Sequence, residues 1–481
     1  MPPEPAAEQQ RSLSRAFQRA QLPVSELWLR YFALGGDAQP LDVDAYVHGL
    51  TELPATQRDM LAHTVNERLD ELAGTHRAAY SRTIRDTEPR GAPLAALVGL
   101  LEGVELAPPE RLTAAVATAS RELGVRILVH LVDYEQRVLH PLAENGASLG
   151  IDTTLPGRAF QQVRMLPAEG DPPCLWVPLL DGVERLGVLA VEVDDRADLY
   201  DPGLRTQCRW LSMLLGHLVT LLNQYGDGLD LVRLREPRSV AGELIWSLLP
   251  PLTAGVDTFV VSGVLEPRYD VGGDAFDYSL SETTASLLIL DAVGHDLSSG
   301  LIAATAIAAY RSARHAGHGL YEQARTIDEA VKQQFGHRNA FVTAVLVELD
   351  LRSGQLRYIN AGHPLPLVMR GGKIGRPLSG GRRLPLGLGP TELTVGEETL
   401  QSEDWLLLHT DGITEARDRS GHMFGDDRLA DFLQREAAAG HPPPETVRRL
   451  IKAVLTHQDG ELQDDATVLL ARWTSPQVVI P

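Results

Sequence analysis

Four aspartates in the second half of the 481-residue chain sit where glycine meets an apolar run. They are Asp274 in VGGDAFD, Asp291 in LDAVGHD, Asp411 in HTDGITE and Asp464 in QDDAT. Hard divalent ions such as Mg²⁺ and Mn²⁺ take carboxylate, carbonyl and water oxygens, and glycine lets a backbone approach an ion closely. Each segment alone reads as a turn. Together, three of them directly beside an apolar strand, they point to one clustered cation site.

The elements that must position these aspartates follow from hydrophobic periodicity. Strands are expected over 258–265, 285–291, 341–350, 355–360, 365–370, 404–410 and 466–473, and helices over 300–315, 322–335, 425–436 and 444–457. The helices come in pairs between strand groups, which predicts sheets covered by helices on their outer faces. Upstream, residues 1–20 are rich in Pro, Ala and Gln and read as frayed, and helical spacing begins with Leu27, Tyr31 and Leu34 and continues through Met60, Leu61, Val65 and Leu69. Between 94 and 223 the order is a helix (110–123), strands (125–133 and 138–143), an irregular stretch, strands (175–180 and 186–193) and a long apolar helix (204–222). A short charged helix (229–236) then leads to a helix over 239–249 that stops at Pro250-Pro251 and is expected to pack on the C-terminal core.

The C-terminal motifs occur in a fixed order: SLLP, VGGDAFD, DAVGHD, FVTAVLVELD, INAGHPLPLV, LPLGLG, LLLHTDGITEARD, FGDDRL and DDATVLL. In that order the stretch 242–472 resembles the SpoIIE-type branch of the metal-dependent serine/threonine protein phosphatases (PPM, 2C-type). The stretch 94–223 resembles a GAF sensor domain, with VPLLDGVERLGVLAVEV before its last helix. These resemblances imply an α+β, multidomain chain. Its parts would be an N-terminal helical module (1–90), a GAF-like α/β sensor domain (91–225), a helical linker (226–252) and a C-terminal α-β-β-α sandwich phosphatase domain (253–475). They also imply two Mn²⁺ or Mg²⁺ ions. Asp291 would bridge both with the Ala292 carbonyl nearby, Asp274 would bind one, and Asp411 and Asp464 would bind the other, with Asp465 the less favoured neighbour. Two such cations neutralise a phosphate monoester and lower the pKa of a shared water, so that hydroxide can attack phosphorus in line.

His295 is a candidate acid for the leaving alkoxide, although the family's glycine after this histidine is Asp296 here, a candidate helix cap. His363 is expected to shape a turn beside the site, and Asp277 to support Asp274 from behind. The segment Gly272-Gly-Asp-Ala-Phe resembles the diguanylate cyclase motif GGDEF, but an alanine replaces its second acid and the TDG and DDAT motifs have no place in that fold.

Composition removes several other classes. Lys+Arg number 44 against 64 Asp+Glu, a formal net charge of −20, which argues against a general nucleic-acid binder. Two cysteines make no disulfide framework, no apolar run is long enough to span a bilayer, and the N-terminus lacks a signal-peptide core, so a cytoplasmic protein is expected. Cys174, His130 and His140 lack ligand spacing and read as structural. By resemblance the partner is a phosphorylated protein, an anti-sigma factor antagonist of the STAS type. The GAF-like domain would take an unidentified small-molecule or protein signal, and a homodimer is expected from the resemblance and from the apolar helices 204–222 and 229–234. A regulatory pseudo-phosphatase that binds with little turnover is the alternative, and hydrolysis of another phosphoester is a third reading.

Overall fold

The computed structural model describes residues 5–73, 91–143, 146–266, 272–294, 296–336, 340–389, 394–460 and 462–475. His295 lies outside them. The chain forms two compact units, one made up of Met1–Asp133, Arg137–Asp181 and Arg185–Arg233, the other of Leu234–Pro481 with two short turns.

The first unit opens with α1 (Pro5–Arg19), α2 (Val24–Ala33), α3 (Pro40–Val47) and α4 (Ala55–Ala73). Leu13, Leu27, Tyr31, Val43, Leu61 and Val65 close into one apolar cluster among these helices. The N-terminal stretch expected to fray is therefore helical, because burying Leu13 and Ala20 offsets the entropy of ordering it. Next come α5 (Ala92–Val104) and α6 (Leu112–Leu123). The sequence reading has no helix at α5, whose apolar residues surround the helix rather than forming a stripe.

Strands β1 (Arg126–Val132), β2 (Val138–Pro141) and β3 (Leu149–Gly150) precede α7 (Leu155–Gln162). After it come β4 (Leu166–Ala168), β5 (Cys174–Asp181) and β6 (Glu184–Glu192), and the six strands form one sheet in the order β3-β2-β1-β6-β5-β4. The unit ends with α8 (Pro202–Leu222), capped by the Asp201 carboxylate, and α9 (Gly228–Arg233).

The second unit begins with α10 (Val240–Leu248), whose cap Ser239 accepts from the Gly242 N–H. It continues through β7 (Thr253–Val256), β8 (Phe259–Glu266), β9 (Asp274–Leu280), β10 (Thr284–Ala292), α11 (Leu297–His315) and α12 (Leu320–Phe335). Then come β11 (Val342–Asp350), β12 (Gln355–Ala361), β13 (Leu367–Arg370), β14 (Lys373–Ile374), β15 (Arg382–Arg383), β16 (Gly396–Thr399) and β17 (Trp405–His409). The last elements are α13 (Asp411–Thr414), α14 (Gly425–Ala438), α15 (Pro443–His457) and β18 (Ala466–Trp473).

One sheet runs β15-β12-β11-β10-β9 with β16 on β12, and the other runs β14-β13-β17-β18-β8-β7. Period-two alternation divides the second sheet between two cores. Leu469, Ala471 and Trp473 of β18 join a cluster with the first sheet and with α11 and α12, whereas Ala466, Val468 and Leu470 join one with α14 and α15. The strand β9 escapes sequence pattern because two of the seven residues in DAFDYSL are carboxylates.

Those two carboxylates have separate tasks. Asp274 and Asp277 are an odd number of positions apart, so they leave β9 on opposite faces. Asp277 therefore does not back Asp274, as expected from sequence, but faces α11. It is buried, and accepts from Arg311 Nε at 3.0 Å, Arg311 Nη2 at 2.8 Å and Arg314 Nη1 at 3.1 Å. Arg311 Nη2 also donates to the Leu248 carbonyl at the end of α10, at 2.6 Å, and the Tyr278 hydroxyl donates to the Pro251 carbonyl at 2.6 Å. Helix α10 thus packs on this core, with Ile245 in its main cluster, and its C-terminal end is tied to β9.

Replacing Arg311 with methionine leaves a buried carboxylate with Arg314 alone. Arg311→Met is expected to lower unfolding free energy by about 2 kcal/mol, below the usual cost of breaking a buried pair because one partner remains. Urea unfolding checks this, and Arg314→Met is expected to cost less because it donates fewer of the bonds.

Candidate active site

Asp274 opens β9, Asp291 stands one residue before the end of β10, and the antiparallel register sets them directly opposite. Opposed residues leave a sheet on the same face, so the two carboxylates share one side. Asp411 is the first residue of α13, just past β17, while Asp464 and Asp465 lead into β18. Because β17 and β18 are antiparallel neighbours, with His409 opposite Val468, the second sheet delivers its aspartates at adjoining strand ends.

Short polar contacts hold this edge. The Thr410 hydroxyl donates to Asp274 Oδ2 at 2.7 Å and accepts the Thr467 N–H at 2.9 Å. Asp465 Oδ2 accepts the backbone N–H groups of Gly272 at 2.6 Å and Gly273 at 2.9 Å, so this residue secures the loop that delivers Asp274. Two glycines permit the close approach: a Cβ on Gly273 would stand 2.2 Å from the Ala292 carbonyl oxygen, and one on Gly412 1.9 Å from that of Asp465. Asp296 caps α11, accepting from the N–H groups of Ser298 and Ser299. His363 is buried in its turn, bonded through Nδ1 to the Thr343 hydroxyl at 2.8 Å, and its backbone N–H is held by Asn360. Burial pushes its imidazole down to about 3, so it is neutral.

The facing carboxylates raise one another's affinity for protons. Asp274 is held well above the usual carboxylate range by burial, then by the charges of Asp291 and Asp465. Asp291 is pushed up to about 7 by burial, then by Asp411, Asp464 and Asp465. Asp411 is raised by burial, then by Asp464 and Glu415, and burial lifts Asp465 to about 6 against the pull of its backbone donors.

Among the described residues no three His, Cys, Asp or Glu side chains converge as a closed ligand group. The arrangement is a looser ring of anions whose donors are all oxygen, and the Gly273 cradle presses the Asp274 loop against the Ala292 carbonyl. These donors fit hard divalent cations. The thiols offer no alternative nucleophile, since Cys174 and Cys208 are buried in the first unit and pushed up to about 12.

Sequence reasoning overlooked Thr410 and Thr467. The available signal was Thr410 itself, a hydroxyl between an apolar strand and Asp411. It also left Asp465 as an inferior metal ligand, whereas its contacts are to backbone N–H groups.

Paired sheets with an oxygen-only anionic edge belong to the metal-dependent phosphatase class. Residues 281–474 match the family described as Stage II sporulation protein E (SpoIIE). This stretch is a SpoIIE-type domain of the PPM phosphatases. The chain is 24% identical to Protein IcfG of Synechocystis sp. over 273 residues, covering 51% of this chain and 42% of that one. It is 24% identical to the phosphoserine phosphatase RsbP of Bacillus subtilis over 151 residues, covering 30% of this chain and 37% of that one. Less than half the length of either relative is therefore spanned. The crystal structure of the RsbU and RsbW domains of Rv1364c from Mycobacterium tuberculosis superposes with a TM-score of 0.41 at 25% identity, over 48% of this chain and 64% of that one. No helix among the described residues is long and apolar enough to cross a membrane.

The raised carboxylates make a linkage prediction for the metal-free protein. Between the ordinary value of 3.8 and about 7, Asp291 keeps its proton when folded and loses it when unfolded. The folded state then binds more protons, so stability falls as pH rises through that window. In chelator, Asp291→Asn is expected to melt increasingly above the native chain as pH goes from 5 to 8. A gap independent of pH would refute the assigned repulsion.

Proposed function

We propose that the chain is a metal-dependent phosphoprotein phosphatase that removes phosphate from serine or threonine of a partner protein. The observation that carries this reading is the cross-strand pair Asp274–Asp291, two carboxylates held opposite each other and facing Asp411 and Asp464. Like charges directly opposite in a ladder are destabilising, and a cation offsets that cost. PPM phosphatases are metal-dependent, and two ions, Mn²⁺ or Mg²⁺, are proposed here. Asp291 and the Ala292 carbonyl would serve both, Asp274 one, and Asp411 and Asp464 the other. When bound, such ions supply charge neutralisation for the phosphoryl group and an activated water.

The chain's own residues supply position. Thr410 fixes Asp274 Oδ2, Asp465 fixes the Gly272–Gly273 backbone, and Asp296 anchors the start of α11 just after Asp291. Asp277 takes a structural part in this scheme, and His295 remains a proposed acid. The four domains outlined from sequence, including the α-β-β-α layering and the GAF-like sensor as regulator, are part of the proposal, as are a cytoplasmic location and a homodimer. The names of RsbP and RsbU, both phosphoserine phosphatases, support a substrate among phosphorylated anti-sigma factor antagonists of the STAS type.

Mn²⁺-dependent release of p-nitrophenol from its phosphate tests the core reading. Asp291→Asn is expected to lower kcat by two orders of magnitude or more, roughly the loss of one transition-state charge contact. Equal activity in both proteins would sink the mechanism, and a native chain inert with every divalent ion would favour a binding protein instead. Thr410→Val keeps all the carboxylates and is expected to raise the Mn²⁺ concentration for half-activity by about 10- to 100-fold.

A further inference from the structure

Beside the carboxylates runs an exposed apolar strip to which the catalytic scheme assigns no part. Leu384 and Leu388 are 54% and 50% exposed, on either side of the wholly buried Leu386. The sheet register locates them: Ala292 pairs with Val342, and Val342 exchanges two backbone hydrogen bonds of 2.8 Å with Leu386. Two strand spacings therefore separate Leu386 from the residue after Asp291, on the order of 10 Å. Val293, Leu297 and Leu301, also exposed, extend the strip along the chain that leaves Asp291 for α11.

The loop presenting Leu384 and Leu388 is fastened from below. Arg383 Nη2 and the Gly387 N–H both donate to Asp328 Oδ1 of α12, at 2.8 and 2.9 Å, and the Arg383 and Asp328 side chains are buried. Gly387 has φ +102°, and a Cβ there would meet the Ala340 carbonyl at 2.8 Å. The two leucines are thus presented by an anchored backbone, so a partner meeting them forfeits little ordering entropy.

We propose that this strip, with Leu384 and Leu388 foremost, docks the protein part of a phosphoprotein substrate through an apolar patch lying beside the phosphorylated residue. This deepens the phosphatase reading and rests on it. The occupant follows from continuity with the site: a molecule whose phosphate reaches Asp291 and whose body extends past it lies against these side chains. An aryl phosphate is too short to use the loop, so the strip separates phosphoproteins from small phosphomonoesters.

The test compares the full-length native chain with Leu384→Gln/Leu388→Gln and with the milder Leu388→Ala, using p-nitrophenyl phosphate and a serine-phosphorylated STAS-domain protein with Mn²⁺. The double variant is expected to keep its p-nitrophenyl phosphate kinetics within about twofold, with KM for the phosphoprotein raised about tenfold or more, as for loss of apolar anchors at an interface. Leu388→Ala is expected to show a smaller shift in the same direction. Equal losses on both substrates at unchanged melting temperature, or an unchanged phosphoprotein KM, would overturn the proposal. So would a change of oligomeric state by light scattering, which would make the strip a contact between copies of this chain. A native chain that hydrolyses neither substrate is a different failure, that of the phosphatase reading itself.

Discussion

Mutual repulsion between carboxylates at one end of two sheets is the constraint around which the second unit is organised. Asp274 and Asp291 stand opposite each other because the β9–β10 ladder leaves them no other register. A ladder slipped by one residue would turn Asp274 to the other face, but would also turn Phe276 out of the core. Apolar packing between the sheets thus enforces a juxtaposition that electrostatics alone would avoid. The Asp465 contacts to the glycine backbone and the Thr410 bond to Asp274 then hold the loop against the same repulsion.

This division of labour explains where polar groups occur inside the unit. Thr410 is wholly buried, and its hydroxyl is used twice, as donor to Asp274 and as acceptor from Thr467. His363 is buried and neutral, which lets it stay close to the anionic edge without titrating near neutral pH. Such groups stabilise little by themselves, but each left unpaired would cost more than it contributes when paired.

Much of this was legible in the sequence, and the exceptions share a cause. Strands such as 466–473 and 342–350 alternate cleanly, so their existence and bounds followed from pattern alone. The four aspartates were legible because glycine stood beside most of them. What pattern could not convey was which face a side chain takes once a strand begins on a charged residue. Reading Asp277 as support for Asp274 missed β9, and with it the parity that turns the two apart. Leu384, Leu386 and Leu388 look alike in LPLGLG, yet only Leu386 is buried, since Pro385 and the positive-φ Gly387 break the alternation that period-two reading assumes. Hydroxyl partners such as Thr410 have no spacing rule, because their role depends on which strand of the other sheet arrives beside them.

The fastening of α10 has a mechanical meaning beyond its contribution to stability. Strand β9 is bonded at Tyr278 to the Pro251 carbonyl, and through Asp277 and Arg311 to the Leu248 carbonyl, while its other end carries Asp274. An extended strand is stiff along its length, and four residues span only about 13 Å. The strand is therefore a short lever with the connector at one end and a carboxylate at the other. A pull on the connector of a few tenths of an ångström has no slack loop in which to dissipate, and either strains the bonds at Pro251 and Leu248 or moves Asp274 relative to Asp291.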